Sequence, residues 1–587
     1  MSATSTSNRP GSVPQTRPSR PRPRPQLAHR IILLQIWVLL LCGSAAAGAL
    51  AGDAAPSRRP NILIAFADDW GRFASRYAKI DGPGTPNDLI HTPHFDRLAD
   101  QGVLFRQAFV SAPSCTPCRS ALLSGQHFWR TGRSAILNGA VWQFDHPAFP
   151  LMLRDQADYR LGKSYKVWSP GSPADAPIGG TAHAFEKRGR RFNQFSQNVT
   201  RMTREGVPLE QAKQRLYDEV LGNFDDFLGA GQDGQPFCFW FGPTNVHRSW
   251  ERGSGKALWG LDPDRLQGNL PPFLPDVPEV REDFADYLGE AMAFDTMLGL
   301  LVDRLKATGQ WDDTVLIVSG DHGPPGFPHG KCNLYDFGVR VSLMICWGKN
   351  VSLGTRGRVI DDLVSLTDIA PTLLELARLT PDPKMTGRSL TGILRSDRSG
   401  SVEGRDAVFF GRERHVANAR EGFLPYPQRA IRTPDHLLII NFHPERWPLG
   451  EPYRLDGDPP PSPAEITART RVTLPDEDAG PTKAWLVGVR NDPRWQPLYQ
   501  LAYDRRPREE LYDLKSDPHQ VRNVAQDPAY ADVRDRLRQR LLDELRSTDD
   551  PRMINDGEFF ETPPMAGPPA NTNGEETVSP DRLRSGK

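Results

Sequence analysis

Asn61-Ile62-Leu63-Ile64-Ala65-Phe66-Ala67-Asp68-Asp69 is a continuous apolar run that closes on two carboxylates. Because polar residues do not alternate within it, it reads as a strand buried on both faces of a sheet with parallel neighbours, with Asp68 and Asp69 at its carboxyl end. Residues 94–101 follow as a helix stopped by Gly102, and 103–110 as a second strand, which is the alternation of a doubly wound α/β domain. The same grammar returns in strand 237–241, a helix over 284–307, strand 314–319 ending in Gly320-Asp321-His322, strand 341–347 and a helix over 369–379. The large domain is therefore placed at 58–400.

From Ala407 the texture changes to short strands, 407–410 and 437–441, and a late amphipathic helix over 530–546. This predicts a smaller C-terminal α+β domain over 401–550. Residues 455–481 contain Pro459-Pro460-Pro461 and many charges and read as a surface insertion. Residues 551–587, rich in Pro, Gly and polar side chains, read as a disordered tail.

The chain has 587 residues, too many for one small module. Its 72 basic and 72 acidic side chains cancel, so nothing in the charge supports a general nucleic-acid-binding surface, and no nucleic-acid partner is expected. The six cysteines are too sparse for a disulfide scaffold, and Cys115-x-x-Cys118 lacks both the second pair of a zinc ribbon and a redox-type context. Residues 31–41 are the only long apolar run. They follow an Arg- and Pro-rich segment and precede Ala49-Leu50-Ala51, the order of a signal peptide over 1–51. Such a run is too short to cross a bilayer as a stable helix, so export without a permanent membrane span is expected, to a periplasmic, secreted or lysosome-like compartment. A lipid anchor at Cys42 is set behind this, because Leu41 is bulkier than lipoprotein processing usually accepts.

Ligands of open α/β sheets gather beyond the carboxyl ends of the strands. Asp68-Asp69, Cys115 and Asp321-His322 are the reactive groups predicted at such positions. Carboxylate oxygens with little sulfur or imidazole favour a hard cation, Ca²⁺ or Mg²⁺, over Zn²⁺.

The sharpest local signal is Cys115-Thr116-Pro117-Cys118-Arg119-Ser120-Ala121-Leu122-Leu123-Ser124-Gly125. This C-x-P-x-R block followed by Leu-Ser-Gly resembles the signature of type I sulfatases, the formylglycine-dependent family, and the resemblance extends from Arg59-Pro60-Asn61 to Glu510-Leu511-Tyr512-Asp513-Leu514. It implies an alkaline-phosphatase-like mixed-sheet sandwich with the smaller C-terminal domain. It also implies that a formylglycine-generating maturation enzyme converts Cys115 to formylglycine, and that one Ca²⁺ per chain, ahead of Mg²⁺, is held by Asp68, Asp69, Asp321 and His322 with an oxygen of modified residue 115. His322 stands where many members have Asn. By the same resemblance, Arg119 steadies the aldehyde hydrate, Lys331 and Lys166 hold the sulfate, and His247 faces the leaving-group oxygen. One hydroxyl of the hydrate would attack sulfur and the other would later expel sulfate. The family usually writes Gly before the second lysine and His shortly after it; here Tyr165 precedes Lys166 and Ser169 follows. His127 and His183 are the candidates to fill that role.

Within the family the resemblance is to the heparan N-sulfatase (sulfamidase) branch, carried by Phe192-Asn193-Gln194, Gly411-Arg412-Glu413-Arg414-His415 and Tyr426-Pro427-Gln428-Arg429-Ala430-Ile431-Arg432. It implies a sulfated saccharide substrate of glycosaminoglycan type, N-sulfated glucosamine first and an O-sulfated sugar next. Lys187, Arg188, Arg190 and Arg191, with Arg414, Arg429 and Arg432, are the basic groups expected to attract such a polyanion, the latter three being equally readable as a solvated face. Two other readings stay open: a phosphate-ester hydrolase of the alkaline phosphatase type, which would be expected to carry Ser or Thr in place of Cys115 and two zinc ions, and a non-catalytic sulfated-glycan-binding protein on a sulfatase scaffold.

Overall fold

The larger sheet consists of β1 (Asn61–Ala67), β2 (Gly102–Phe109), β3 (Arg160–Tyr165), β4 (Phe237–Gly242), β5 (Thr314–Gly320), β6 (Arg340–Trp347), β7 (Arg358–Ile360) and β8 (Val364–Ser365). The computed structural model describes residues 58–569; the expected signal peptide with Cys42, and residues 570–587 of the expected tail, lie outside the described residues. The strand order is β3-β4-β1-β5-β6-β2-β7, with β8 also paired to β2. Strands β3, β4, β1 and β5 run parallel, whereas β6 is antiparallel to both β5 and β2. The sheet is thus mixed.

The apolar run of β1 explains the layering. Ile62, Ile64 and Phe66 point into one hydrophobic core, Leu63, Ala65 and Ala67 into another, and all six are buried. A strand with a core on each face has no place for polar alternation. The Pro278–Ala307 helix packs in the second core; it begins six residues before the helix expected over 284–307, with Pro278 in its first turn. The early turn was masked by its acidic residues, of which Asp283 is buried against Arg248 at 2.8 and 2.7 Å.

The smaller sheet is antiparallel, in the order β12-β11-β10-β9, formed by β9 (Val408–Arg412), β10 (Gln428–Arg432), β11 (His436–Asn441) and β12 (Glu509–Asp513). One face, with Ile431, Leu438, Ile440 and Leu511, covers Leu537, Leu541 and Leu545 of the Ala531–Ser547 helix; the other, with Ala430, Leu437 and Ile439, joins the first core of the large sheet. Both sheets belong to one compact unit from Arg59 onward.

Two expectations are corrected. Residues 455–481 are no surface insertion: Leu455, Ile466, Val472 and Leu474 are buried in a core of their own with Leu486, Val487 and Tyr503. Nor does disorder begin at 551, because Pro551–Met553, Asn555–Gly557 and Glu558–Glu561 are helical turns, Phe560 and Met565 are buried, and Arg414 donates to Gly567 O at 2.7 Å. The scattered apolar residues of 455–481 pack with those of the following helices, and Phe560 and Met565 find a core supplied by distant sequence.

Asp476 ties the first of these segments to the small sheet, its buried side chain accepting from Arg412 at 2.5 Å, Arg420 at 2.8 Å and Val416 N at 2.8 Å. Burial alone would raise its carboxyl, but Arg420 and Arg412 hold it below the ordinary 3.8. Asp476→Ala leaves two guanidinium groups short of their anion in the interior and is expected to cost about 3–5 kcal/mol. A folded value lying below the unfolded one means that this contribution is complete above pH 3.8 and is lost as pH falls through the lower folded value. Urea unfolding of parent and variant at pH 7 and near pH 3 should show the difference shrinking on acidification; a constant difference would contradict it.

Candidate functional site

The four parallel strands β3, β4, β1 and β5 deliver their following residues to one end of the sheet: Lys166 after β3, His247 after β4, Asp68 and Asp69 after β1, Asp321 and His322 after β5. This convergence is the crevice in which open α/β sheets bind ligands. Gly242 and Gly320 close β4 and β5 because a Cβ there would collide with the carbonyl oxygens of Lys166 and Trp70. Asp69 adopts left-handed backbone, φ 59°, held by its N–H donating to Asp321 Oδ1 at 2.7 Å and its carbonyl accepting from Tyr287 Oη at 3.2 Å.

Cys115 opens the Cys115–Ser124 helix, whose residues are all buried. Pro117 sits in the first turn, where a missing N–H costs nothing. Ser120 and Ser124 satisfy their hydroxyls by donating to Thr116 O and Ser120 O, both at 2.7 Å, which lets serines ride in an interior helix.

Around Cys115 the side chains interlock. Its sulfur lies 3.4 Å from His322 Nε2 and 3.8 Å from Asp69 Oδ1. Arg119, with no exposure, donates through Nε to Asp321 Oδ2 and through Nη2 to Asp68 Oδ1, both at 2.9 Å. Lys166 Nζ donates to both Asp68 oxygens at 2.7 and 2.8 Å. Lys331 Nζ is 3.0 Å from Asp69 Oδ2, 3.2 Å from Asp478 Oδ2 and 3.2 Å from His247 Nε2. His247 Nδ1 lies 2.5 Å from the Arg248 carbonyl, a contact that requires a proton on Nδ1 and leaves Nε2 facing the site.

Burial pushes the Cys115 thiol well above its ordinary range despite Lys166 and Lys331, so the unmodified side chain stays a thiol at neutral pH. Burial would also raise the Asp68 carboxyl, but Lys166 and Arg119 hold it well below the usual carboxylate range. Desolvation opposes the charge on Lys331, yet Asp478 and Asp69 raise its amine well above the ordinary value. Ligand atoms of Asp69, Cys115, Asp321 and His322 lie within 4.8 Å of one another, as do those of Asp68, Asp69 and His247. His322 Nδ1 meets Gly323 O at 3.1 Å, leaving Nε2 as the ligand atom of an otherwise oxygen-rich set. That donor chemistry fits one hard divalent cation.

Cys115, Lys166, His247 and Lys331 line one cavity of about 570 Å³. The expected catalytic residues Cys115, Arg119, Lys166, His247 and Lys331 and the expected metal ligands Asp68, Asp69, Asp321 and His322 thus meet in one place. Several other expectations change. His127 lines a separate cavity of about 760 Å³, stacked on Trp129 and bonded to Glu544 at 3.1 Å. His183 is absent from the site lining. The imidazole that does enter it is His415, 2.8 Å from Ser114 Oγ and lowered to about 3 by burial. Arg429 and Arg432 are neither a solvated face nor a substrate patch: Arg429 is buried against Asp550 at 2.5 Å and Glu413 at 2.9 Å, Arg432 against Asp336 at 3.1 Å. Arg414 is buried too, donating to Asn138 O at 2.8 Å. Arg188, Arg190 and Arg191 are exposed but paired with Asp226, Glu186 and Glu219. Sequence reading missed Asp478, Arg469 and Arg471, which complete the lining from the 455–481 segment.

Residues 60–379 match the sulfatase family model and residues 324–461 the model for the N-sulphoglucosamine sulphohydrolase C-terminal domain. Over 530 residues the chain is 28% identical to the N-sulphoglucosamine sulphohydrolase of Homo sapiens, covering 84% of this chain and 91% of that protein. A protein solved with its substrate D-glucosamine-2-N,6-O-disulfate shares the fold with TM-score 0.54 at 16% identity, covering 85% of this chain and 99% of the other. So does the phosphonate monoester hydrolase of Agrobacterium radiobacter, with TM-score 0.53 at 21% identity, covering 84% and 96%. Arg469, Arg471 and Asp478 follow the end of both matched stretches.

Proposed function

The chain belongs to the sulfatase family, a sulfuric ester hydrolase of N-sulphoglucosamine-sulphohydrolase type, and from that membership we propose that it removes a sulfate ester or sulfamate from a sugar, N-sulfated glucosamine first and an O-sulfated sugar next. The observation that carries this is the meeting of Cys115 with Lys166, Lys331 and His247 in one cavity, with Cys115 also a member of the buried cluster of Asp69, Asp321 and His322.

Transfer of a sulfuryl group needs positive charge around its oxygens and a proton donor at the bridging atom. Lys166 and Lys331 present ammonium groups to the cavity, and Arg119 fixes Asp68 and Asp321 from behind. His247, one third exposed, turns Nε2 towards the cavity and passes on to the departing oxygen or nitrogen a proton taken from the neighbouring Lys331 ammonium. Lys331 sets the orientation of that ring through its 3.2 Å contact. A calcium ion held by Asp68, Asp69, Asp321 and His322 would supply polarisation of a sulfate oxygen. Formylglycine at position 115 would supply a hydrated aldehyde, one hydroxyl for attack and one for release, chemistry that a buried, protonated thiol does not offer.

Sulfate release from N-sulfated glucosamine, 2-O- and 6-O-sulfated saccharides, a simple aryl sulfate and a phosphate monoester tests this reading. The saccharides are expected to exceed the aryl sulfate in kcat/KM by about tenfold or more, the worth of a few well-placed sugar contacts. An aryl sulfate cleaved far better than every saccharide would remove the sugar, and a preferred phosphate ester would remove sulfuryl transfer as the main activity.

A further inference from the structure

We infer that Arg469 and Arg471 form a subsite for a second anionic group, a sulfate or a carboxylate, on the saccharide whose reacting sulfate lies at Cys115. The inference rests on the saccharide reading above and adds what the substrate must carry.

Lys166, Lys331 and Arg119 face Asp68, Asp69, Asp321 and Asp478, three cations against four carboxylates. A bound divalent cation turns that deficit into a surplus of one positive charge, enough for one sulfate and no more. A second anion must find its countercharge elsewhere, and the other cationic side chains of the lining are Arg469 and Arg471.

Several exposed arginines of this protein are paired with carboxylates, among them Arg188 with Asp226, Arg204 with Glu251 and Arg252 with Glu282, and such arginines are already neutralised. Arg469 is exposed at the cavity, and no carboxylate of the described residues lies within ion-pair distance of its guanidinium. An arginine that lines a cavity without an internal anion is placed to take one from a ligand, and its planar fork suits sulfate and carboxylate alike.

The backbone that carries the pair is held firmly. Lys483, with no exposure, donates through Nζ to Thr470 O at 3.2 Å, Leu474 O at 3.0 Å and Glu477 O at 2.7 Å. Thr470 Oγ1 accepts from Ala479 N at 3.0 Å, and Ile466 and Val472 anchor either side in the apolar core. A fixed backbone lowers the ordering cost of binding. The cavity, about 570 Å³, is of the size that encloses whole small ligands, with room for substituents beyond the reacting group.

The test compares kcat/KM for three substrates: N-sulfoglucosamine, its N,6-O-disulfated form, and N-sulfoglucosamine linked to a uronic acid. The parent should prefer at least one of the two doubly charged substrates by about tenfold or more, the worth of a charge-assisted hydrogen bond. In the Arg469→Ala/Arg471→Ala protein that preference should fall to near unity, and Arg469→Lys/Arg471→Lys should restore part of it. Misfolded protein cancels, since both rates in each ratio come from one preparation. The substrate whose advantage collapses tells sulfate from carboxylate. A parent without preference, or a preference unchanged in the alanine variant, overturns the subsite and leaves the saccharide reading standing. A parent that cleaves none of the three overturns the saccharide reading, and the subsite falls with it.

Discussion

Cys115→Ala is expected to release sulfate at least about 10⁴-fold more slowly than the parent, the loss that follows removal of a nucleophile from a preorganised site. Its stability should stay within about 1 kcal/mol, because a small side chain is removed and the ion pairs around it persist. Cys115→Ser should be nearly as inactive. A maturation enzyme directed at cysteine leaves serine as an unactivated alcohol, and the unmodified thiol is itself a poor nucleophile, being buried and held protonated. In protein from a host competent in formylglycine formation, the mass of the peptide containing residue 115 should show loss of the thiol sulfur. An intact thiol in fully active protein, or normal turnover by Cys115→Ser, would end the formylglycine mechanism.

Asp321→Ala should fail in two separable ways. Asp321 accepts from Asp69 N at 2.7 Å and from Arg119 Nε at 2.9 Å, and it belongs to the ligand cluster with Asp69, Cys115 and His322. Without it Arg119 retains Asp68 and the carbonyls of Lys166 and Val167, so breaking the buried pair is expected to cost about 3–5 kcal/mol. The bound ion should go as well: elemental analysis should find about one Ca²⁺ per parent chain and a small fraction of that in the variant. Asp321→Asn separates the effects, since an amide oxygen can still accept from Asp69 N while the ligand charge is lost. It should regain much of the stability and little of the calcium. Full activity and an intact ion in Asp321→Ala would dismiss the cluster as the metal site, and two zinc ions in the parent would favour the phosphatase reading.

The arrangement of charge separates what local sequence can show from what it cannot. Strand β1 spans the run read from the sequence, because six consecutive apolar residues between Asn61 and Asp68 suit a strand buried on both faces. Asp68-Asp69 and Asp321-His322 follow directly from strand ends, and the Cys115 block from a helix start. Each of these signals lies within about ten residues of chain, where hydrophobic period, capping and turn chemistry act.

Arginines 429 and 432 look identical in sequence to arginines on a wet face. They are interior because Asp550 stands 121 residues from Arg429 and Asp336 stands 96 from Arg432. Residues 455–481 carry the prolines and charges of a loop, yet Asp476, Lys483 and a handful of apolar side chains fold them into the wall of the cavity. Sequence by itself determined the α/β grammar, the strand-end carboxylates and the cysteine block. Only the tertiary structure decided which charges are buried in pairs and which remain to meet a ligand, because an ion pair is a short-range contact in space between groups that may stand anywhere along the chain.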